Sequence, residues 1–510
     1  MVDLRPDQLA TVRAILQAKV PECEVWAFGS RAKWTAKDSS DLDLALVSSA
    51  RLSQSRLGRL RAAFTDSYLP IKVDVVDIHR VSEEFRKIIE SQKVVLQKPS
   101  EPAAPPVERA KWRTLPLEES VETIIDYRGK TPTKVSKGIP LITAKIVKNG
   151  RIETPDEFIA EEDYEGWMRR GIPRTGDVLL TMEAPLGEVA QLDERKVALA
   201  QRLVALRGKH GLLDNRFLKY VLQSGIVQDQ LKSRASGTTV LGIKQSELRK
   251  INLTLPPLPE QIGIGEVLGA LDDKIELNRR MNETLEALAQ SLFKSWFVDT
   301  TQSALPKGWR EGSILEQTNL LSGGTPKTDR PDYWDGEILW ASAKDVSQCG
   351  QTFLVATERT ITRKGLEESA TQMIPAYCTA VVARGATTGR MVMFGREMAM
   401  NQTCYALAST MGTPFALYCQ LRHEMDDLVH TAHGSVFDTI TTSTFSISKV
   451  VLAPKEALES FEKTVSPIFR RILANTEESR TLAALRDALL PKLLSGELRV
   501  PTAKPVEARA

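Results

Sequence analysis

Leu255-Pro256-Pro257-Leu258-Pro259-Glu260-Gln261 leads into a stretch in which apolar or small residues fall at Leu268, Leu271, Ile275, Leu285, Ala289, Leu292 and Trp296, with Asn278 and Asn282 in the missing heptad places. Spacings of three and four over about four heptads predict a coiled-coil seam rather than a merely amphipathic helix. The pattern returns at Phe461, Val465, Ile468, Ile472, Asn475, Leu482, Leu489 and Leu493, and Asn475 stands 197 residues after Asn278. Two matching stripes in one chain can bury each other. At ~1.5 Å per residue, a helix of about 35 residues spans roughly 50 Å, enough to hold two globular units well apart. The plainer alternative is that each helix packs on its own domain.

Working outward, the stripes prove to be the ends of a longer repeat. Ile142-Thr143-Ala144-Lys145 corresponds to Ala341-Ser342-Ala343-Lys344 at an offset of 199, and Ala200-Gln201 to Asn401-Gln402 at 201. Pro185-Leu186-Gly187 corresponds to Thr387-Thr388-Gly389 at 202, Gly237 to Gly434 at 197, and Leu255-Pro256 to Ala453-Pro454 at 198. Five matches in one order near one offset indicate duplication. The body of each copy is rich in short apolar runs broken by Gly, Pro and Thr, such as Asp177-Val178-Leu179-Leu180-Thr181 and Ala380-Val381-Val382-Ala383. These read as short strands of a mixed, mainly β domain.

Composition bounds what such a chain can be. Its 510 residues predict about three to five domains. A 42% apolar and 26% charged content excludes collagenous, disordered and membrane classes. No apolar run of about 18 residues occurs, so no helix is expected to span a bilayer. The N-terminus lacks an apolar signal segment, and the expected compartment is the cytoplasm. Five scattered cysteines with no C-x-x-C read as reduced thiols. Residues 1–99 carry 16 Lys/Arg against 13 Asp/Glu and the remainder 52 of each, so any nucleic-acid binding must come from local patches. The repeated body contains no phosphate-binding G-x-x-x-x-G-K-[ST] and no H-E-x-x-H. Cys419, His423, His430 and His433 lack the close paired spacings of a zinc site and read as packing or surface residues.

Lys98-Pro99-Ser100-Glu101-Pro102-Ala103-Ala104-Pro105-Pro106 favours an extended spacer, so a separate domain ends near residue 98. In it, the apolar run Val25-Trp26-Ala27-Phe28 stops at Gly29-Ser30-Arg31-Ala32, and Asp41-Leu42-Asp43 opens a second strand. A later strand carries Asp74 and Asp77. Positions i and i+2 of a strand face one side, so Asp41 and Asp43 project together. With Asp74 they would make a three-carboxylate pocket for Mg²⁺, a hard cation that prefers oxygen ligands and nucleotide phosphates. The Gly29-Ser30 turn could offer N–H groups and a hydroxyl to those phosphates.

This G-S, D-x-D and third-Asp pattern resembles the minimal nucleotidyltransferases of the DNA polymerase β superfamily over about residues 4–98. The resemblance implies transfer of NMP, usually AMP, from an NTP (ATP) to a protein or small-molecule hydroxyl, and in small stand-alone members an antitoxin role beside a toxin-like partner. It assigns Gly29 and Ser30 to the phosphate-binding turn, Asp41 and Asp43 to the metal and Asp74 to the third acid, with Asp77 as runner-up. Lys33-Trp34 departs from the pattern, which commonly has a small residue, often Gly, where Trp34 stands.

The rest of the chain resembles the specificity (S) subunit of type I restriction-modification systems. Leu321-Ser322-Gly323-Gly324-Thr325-Pro326-Lys327-Thr328 with Tyr333-Trp334-Asp335-Gly336-Glu337-Ile338-Leu339-Trp340 resembles the opening of a target recognition domain. Tyr127-Arg128-Gly129-Lys130-Thr131-Pro132 with Gly138-Ile139-Pro140-Leu141-Ile142 resembles the opening of the other copy. The join at Leu255-Gln261 and the closing Leu490-Pro491-Lys492-Leu493-Leu494-Ser495-Gly496-Glu497-Leu498 fit the same family.

The family implies an α+β multidomain chain: a small α/β nucleotidyltransferase-like domain (1–98), a Pro-rich linker (99–110), and two mixed, mainly β recognition domains (111–256, 300–454). Two long antiparallel coiled-coil helices (257–299, 455–499) would join them, followed by a tail (500–510). It also implies double-stranded DNA as ligand, read as a split site, with methyltransferase (M) and restriction motor-nuclease (R) subunits as partners and no cofactor for this region. Candidate DNA contacts are Arg128, Lys130, Lys134, Lys327, Thr328 and Arg330 in the opening loops, and Thr238, Thr239, Thr441 and Thr442 in the late ones. The alternative function is an NMP-transferring, antitoxin-like enzyme that the C-terminal region only targets.

Overall fold

The computed structural model describes residues 2–36, 40–48, 51–52, 54–65, 67, 69, 71–99, 112–127, 131–237, 240–301, 304–432 and 439–500. They form two compact units, Met1–Lys111 and Trp112–Ala510. Among the described residues, no helix is long and apolar enough to cross a membrane.

The first unit is a four-stranded sheet with helices on both faces. In chain order its elements are α1 (Pro6–Lys19), β1 (Glu24–Phe28), α2 (Gly29–Ala32), β2 (Leu42–Val47), α3 (Gln54–Thr65), β3 (Val73–Asp77), α4 (Glu83–Gln92) and β4 (Val94–Gln97). The strand order is β3-β2-β1-β4, with β2 parallel to β3 and β1 antiparallel to both its neighbours. Period-two alternation divides β2 between the faces. Leu42, Leu44 and Leu46 join Val12, Leu16, Leu57, Leu60 and Phe64 in the core under α1 and α3. Ala45 turns to the opposite face, where it meets Trp26, Phe28, Ile78 and Ile89 beneath α4. Each fully buried leucine contributes roughly 1.5–3 kcal/mol. Asp43 of β2 and Asp74 of β3 therefore lie on the face of the smaller cluster rather than in the main core.

The second unit contains the repeat. In the first copy a four-stranded sheet runs in the order Leu186–Gln191, Val178–Met182, Leu203–Gly208, Val121–Asp126. In the second the order is Met391–Phe394, Thr379–Val382, Cys404–Ser409, Thr318–Ser322, with Phe353–Leu354 added at one edge. Each copy is closed at its root by pairing its last strand with its first: Asn252–Leu255 with Arg113–Pro116, and Lys449–Leu452 with Arg310–Ser313. Pro256-Pro257 and Pro454 follow those closing strands, and proline is tolerated where a helix starts because the first N–H groups have no intrahelical partner.

Long helices run from both roots, Leu258–Phe293 and Lys455–Ser495. Their contacts descend on one helix as they ascend on the other: Glu260 with Arg499, Asp272 with Arg486, Lys274 with Glu478, and Phe293 with Phe461. The pair is therefore antiparallel. At its centre Asn278 donates to the Asn475 carbonyl at 3.4 Å, and the Asn475 amide donates to Asn282 at 2.9 Å. Asn278 and Asn475 are equivalent positions of the repeat, so a residue touching its own counterpart marks a pseudo-two-fold axis at this point.

The seam differs from the expected stripe in two places. Trp296 is 36% exposed, while Phe293 and Phe297 are buried. A π-helical turn, Lys294–Val298, follows Phe293 and inserts an extra residue per turn, which rotates Phe297 inward in place of Trp296. On the second helix Phe469, not Ile468, is fully buried, stacked on Phe415 at 4.8 Å. Here the domain wall, rather than the other helix, sets the buried face.

Candidate functional site

The acidic end of the first unit is built around Gly29. Its φ of +74° is a left-handed conformation, and a Cβ placed there would overlap the Asp43 carboxylate. Only glycine lets the backbone turn so close to that acid. The chain then loops back on Ser30, whose carbonyl accepts the Lys33 N–H at 3.2 Å and the Thr35 N–H at 3.1 Å. Buried Arg31 pins the turn by donating to the Ser40 carbonyl and the Asp3 carbonyl, both at 2.9 Å. Trp34 sits at φ +57° and is 63% exposed. The turn thus needs a left-handed residue where the family has a small one, and tryptophan holds that shape at a cost of roughly 1–2 kcal/mol.

The acids converge by strand register. Asp43 is paired with Phe28 of β1 on one side and with Asp74 of β3 on the other. Lys72 closes the group: its ammonium lies 2.8 Å from Asp74 and 3.7 Å from Asp41. Burial, then the charges of Asp74 and Asp41, push the Asp43 carboxyl above its ordinary value, and Lys72 partly offsets them. The hydrogen bond to Asp74 raises the Lys72 ammonium in turn. Asp77 lies elsewhere. It is buried and accepts the N–H groups of Leu52 at 2.9 Å and His79 at 3.0 Å, tying two loops to the sheet.

Lys72 was legible only through alternation, since it stands at i−2 from Asp74. The donor set of three carboxylate oxygens beside a glycine turn fits a divalent cation. Among the described residues, however, the acids do not close into a ligand shell, and the lysine ammonium is the cation they hold.

In the second unit, Arg128, Lys130, Thr238 and Thr239 lie outside the described residues. Lys134 lines a cavity of about 220 Å³ together with Thr131, Thr143, Lys145, Gln201 and Arg202. Its ammonium pairs with Glu157 at 2.8 Å, and Lys145 reaches the same carboxylate at 3.0 Å. The Gln201 amide donates to Thr131 at 3.2 Å. The second copy repeats these pairs: Thr325 donates to Gln402, and Lys344 pairs with Glu358 at 2.6 Å.

The remaining candidates are partly committed to the fold. Arg330 makes a two-pronged pair with Asp332 at 3.0 and 2.9 Å and lies over Tyr333. The Lys327 carbonyl takes the Trp334 indole at 3.1 Å, and Thr328 lies in a turn. Thr441 is the N-cap of the helix Thr442–Ile447, accepting the Thr444 N–H at 3.3 Å. Cys419 is fully buried, burial holding its thiol well above the usual range, and His423 lies 6.1 Å from the Phe293 ring. His430 bonds the Asp426 carbonyl at 2.6 Å, while His433 lies outside the described residues.

Residues 112–287 match the type I restriction modification DNA specificity domain, and residues 11–101 match the polymerase beta nucleotidyltransferase domain. The chain is 27% identical over 416 residues to the type I restriction enzyme MjaIX specificity subunit of Methanocaldococcus jannaschii, covering 73% of this chain and 90% of that one. It is 24% identical over 420 residues to the HindI specificity subunit of Haemophilus influenzae, covering 66% and 89%. Its first domain is 48% identical over 96 residues to the probable protein adenylyltransferase MntA of Haemophilus influenzae, covering 19% of this chain and 84% of the relative.

Proposed function

We propose, for a chain whose first domain belongs to the polymerase beta nucleotidyltransferase family and whose body is homologous to type I specificity subunits, that it is the DNA-reading subunit of a type I restriction-modification system. The observation that carries this reading is the pair of matched copies meeting through equivalent asparagines on an antiparallel helix pair. Each copy would enter a major groove and read half of a split site on double-stranded DNA. The helices set the distance between half-sites and offer their flanks to M subunits, with an R subunit required for cleavage. Base edges would be read by the candidates Lys134, Lys327, Thr328, Arg330, Thr441 and Thr442, and by Arg128, Lys130, Thr238 and Thr239, which lie outside the described residues. Sequencing the methylated genome with and without the chain tests this. A split motif that depends on the chain is expected, and an unchanged methylation pattern would overturn the reading.

The acidic end supports a second activity in the same chain. Asp41, Asp43 and Asp74 would hold Mg²⁺, and the Gly29-Ser30 turn would receive the phosphates of an NTP, ATP by the family's habit. The chemistry such a cation supplies is neutralisation of the phosphates during an in-line displacement. Gly29 keeps the backbone N–H groups next to Asp43, Arg31 keeps the turn in place, and Lys72 must release Asp41 and Asp74 while remaining beside them. The acceptor would be a hydroxyl on a protein, a toxin-like partner among them. Incubation with labelled ATP and Mg²⁺ should label such a co-expressed partner, and Asp41→Asn with Asp43→Asn should abolish it. No labelling by the unaltered chain, of a partner or of itself, would remove this activity.

A further inference from the structure

The two copies agree closely at the exit of their central strands, and there the chemistry inverts. In the first copy Met182 donates to the Arg202 carbonyl at 2.7 Å and its own carbonyl accepts the Ile243 N–H at 3.0 Å. In the second, Ala383 donates to the Thr403 carbonyl at 2.9 Å and accepts the Ile440 N–H at 2.9 Å. The next residue in each copy forms an isolated bridge to the late loop, Glu183 to Gly242 and Arg384 to Thr439. Four matching backbone bonds and two matching bridges make Glu183 and Arg384 structurally equivalent. One is an acid and the other a base.

Among the described residues, neither side chain has a polar partner. Several charged residues of the neighbouring loops are paired within the protein, Lys134 and Lys145 with Glu157, Arg330 with Asp332, Lys344 with Glu358. The Glu183 carboxylate and the Arg384 guanidinium make no hydrogen bond or ion pair with any described residue. Glu183 lies with its Cγ against Gly242, and Arg384 is exposed. In the first copy the residue after Glu183, Ala184, shares a cavity with Ala200, Gln201 and Arg202 of the neighbouring loop. An unpaired carboxylate facing DNA cannot serve as a phosphate contact, since like charges repel. It can accept the amino hydrogen of a base, whereas a guanidinium donates two parallel hydrogen bonds to guanine.

Resting on the specificity reading above, we infer that Glu183 and Arg384 are equivalent specificity-determining residues, Glu183 accepting from a cytosine N4 amino group in one half-site and Arg384 donating to the O6 and N7 of a guanine in the other. A clamp with near-two-fold symmetry thereby reads two unlike halves.

The test is the methylation motif made in cells by the full chain together with the methyltransferase subunit of the same genome, compared for wild type, Glu183→Gln, Arg384→Ala and Arg384→Lys. Each substitution should relax one G·C position, in opposite half-sites, by about 10- to 100-fold in discrimination. Arg384→Lys should relax it too, because a single ammonium lacks the fork that spans O6 and N7. The half-site read by the untouched copy reports folding within each variant, so continued reading there separates lost contact from lost structure. Unchanged motifs in all variants, or equal loss in both half-sites, would overturn the inference while leaving the DNA-reading function intact. Absence of any split motif with the unaltered chain would overturn both.

Discussion

Two glycines of the first domain give opposite expectations at the scale of a residue. Gly29 holds φ +74° against the Asp43 carboxylate, whereas Gly58 lies in α3 with no atom within 4 Å of where a Cβ would go. Gly29→Ala should destabilise the domain by about 1–3 kcal/mol and abolish nucleotidyl transfer. Gly58→Ala should stabilise it by about 0.5–1 kcal/mol with transfer unchanged. Thermal melts and label transfer on the two variants check both. The third acid yields a sharper contrast. Asp77 is buried and accepts the buried Leu52 N–H and the His79 N–H, so Asp77→Asn should lower stability by roughly 1–3 kcal/mol while each folded molecule keeps its activity. Asp74→Asn should do the reverse, and a melt paired with a labelling assay tells the two apart. Alternation along the strands was enough to bring Asp41, Asp43 and Asp74 to one face. Lys72 follows from the same alternation, two positions before Asp74, whereas the burial of Asp77 depends on the Leu52 loop, 25 residues away in sequence, and no local pattern announced it.

Heptad spacing at the scale of the element revealed both long helices and their asparagines, because a buried stripe repeats in sequence as it does in space. It missed Phe297 and Phe469. A π-turn changes the period itself, and a helix that also packs on a domain obeys two neighbours at once. The asparagine knot carries its own prediction. Asn278, Asn282 and Asn475 are buried, and their amides reach across the seam to the Asn475 carbonyl, the Thr476 hydroxyl and the Asn282 side chain in turn, partners that face them only in this register. Asn278→Leu with Asn282→Leu and Asn475→Leu should raise the melting temperature, since the buried amides give way to apolar contact with none left orphaned, and should loosen the register. The readout is the spacer of the methylated motif: a mixture of spacer lengths is expected, and one unaltered length at raised stability would show that the domains alone hold the register.

The whole molecule depends on how firmly each copy grips the helix pair, and the duplication shows where. Tyr220 and Tyr418 occupy matching positions, and each donates its hydroxyl to a carboxylate of the first long helix, Asp272 and Glu286, at 2.7 Å. Asp272 also binds Lys219 at 2.6 Å from the first copy and Arg486 at 2.7 Å from the second long helix, so one acid joins a recognition domain to both spacers. Burial tends to raise its carboxyl, but Lys219, Arg486 and Tyr220 hold it below the ordinary value. The sign follows from linkage: a group with a depressed folded pKa stabilises the fold above its unfolded pKa of about 4, and that stabilisation is lost as pH falls through the folded value. Removing the charge at neutral pH should mimic acid. Asp272→Asn leaves Lys219 without a counter-charge and Arg486 with Asp487 alone, and should cost on the order of 3 kcal/mol, whereas its stability should vary less than that of the wild type between pH 5 and pH 3. Because Glu286 grips the second copy independently, the loss should fall on the first copy, seen as faster amide exchange in Asn215–Gln223 than in Pro414–Ala432. Equal loosening of both copies would mean that the grip is shared along the helices instead of being made separately at each domain.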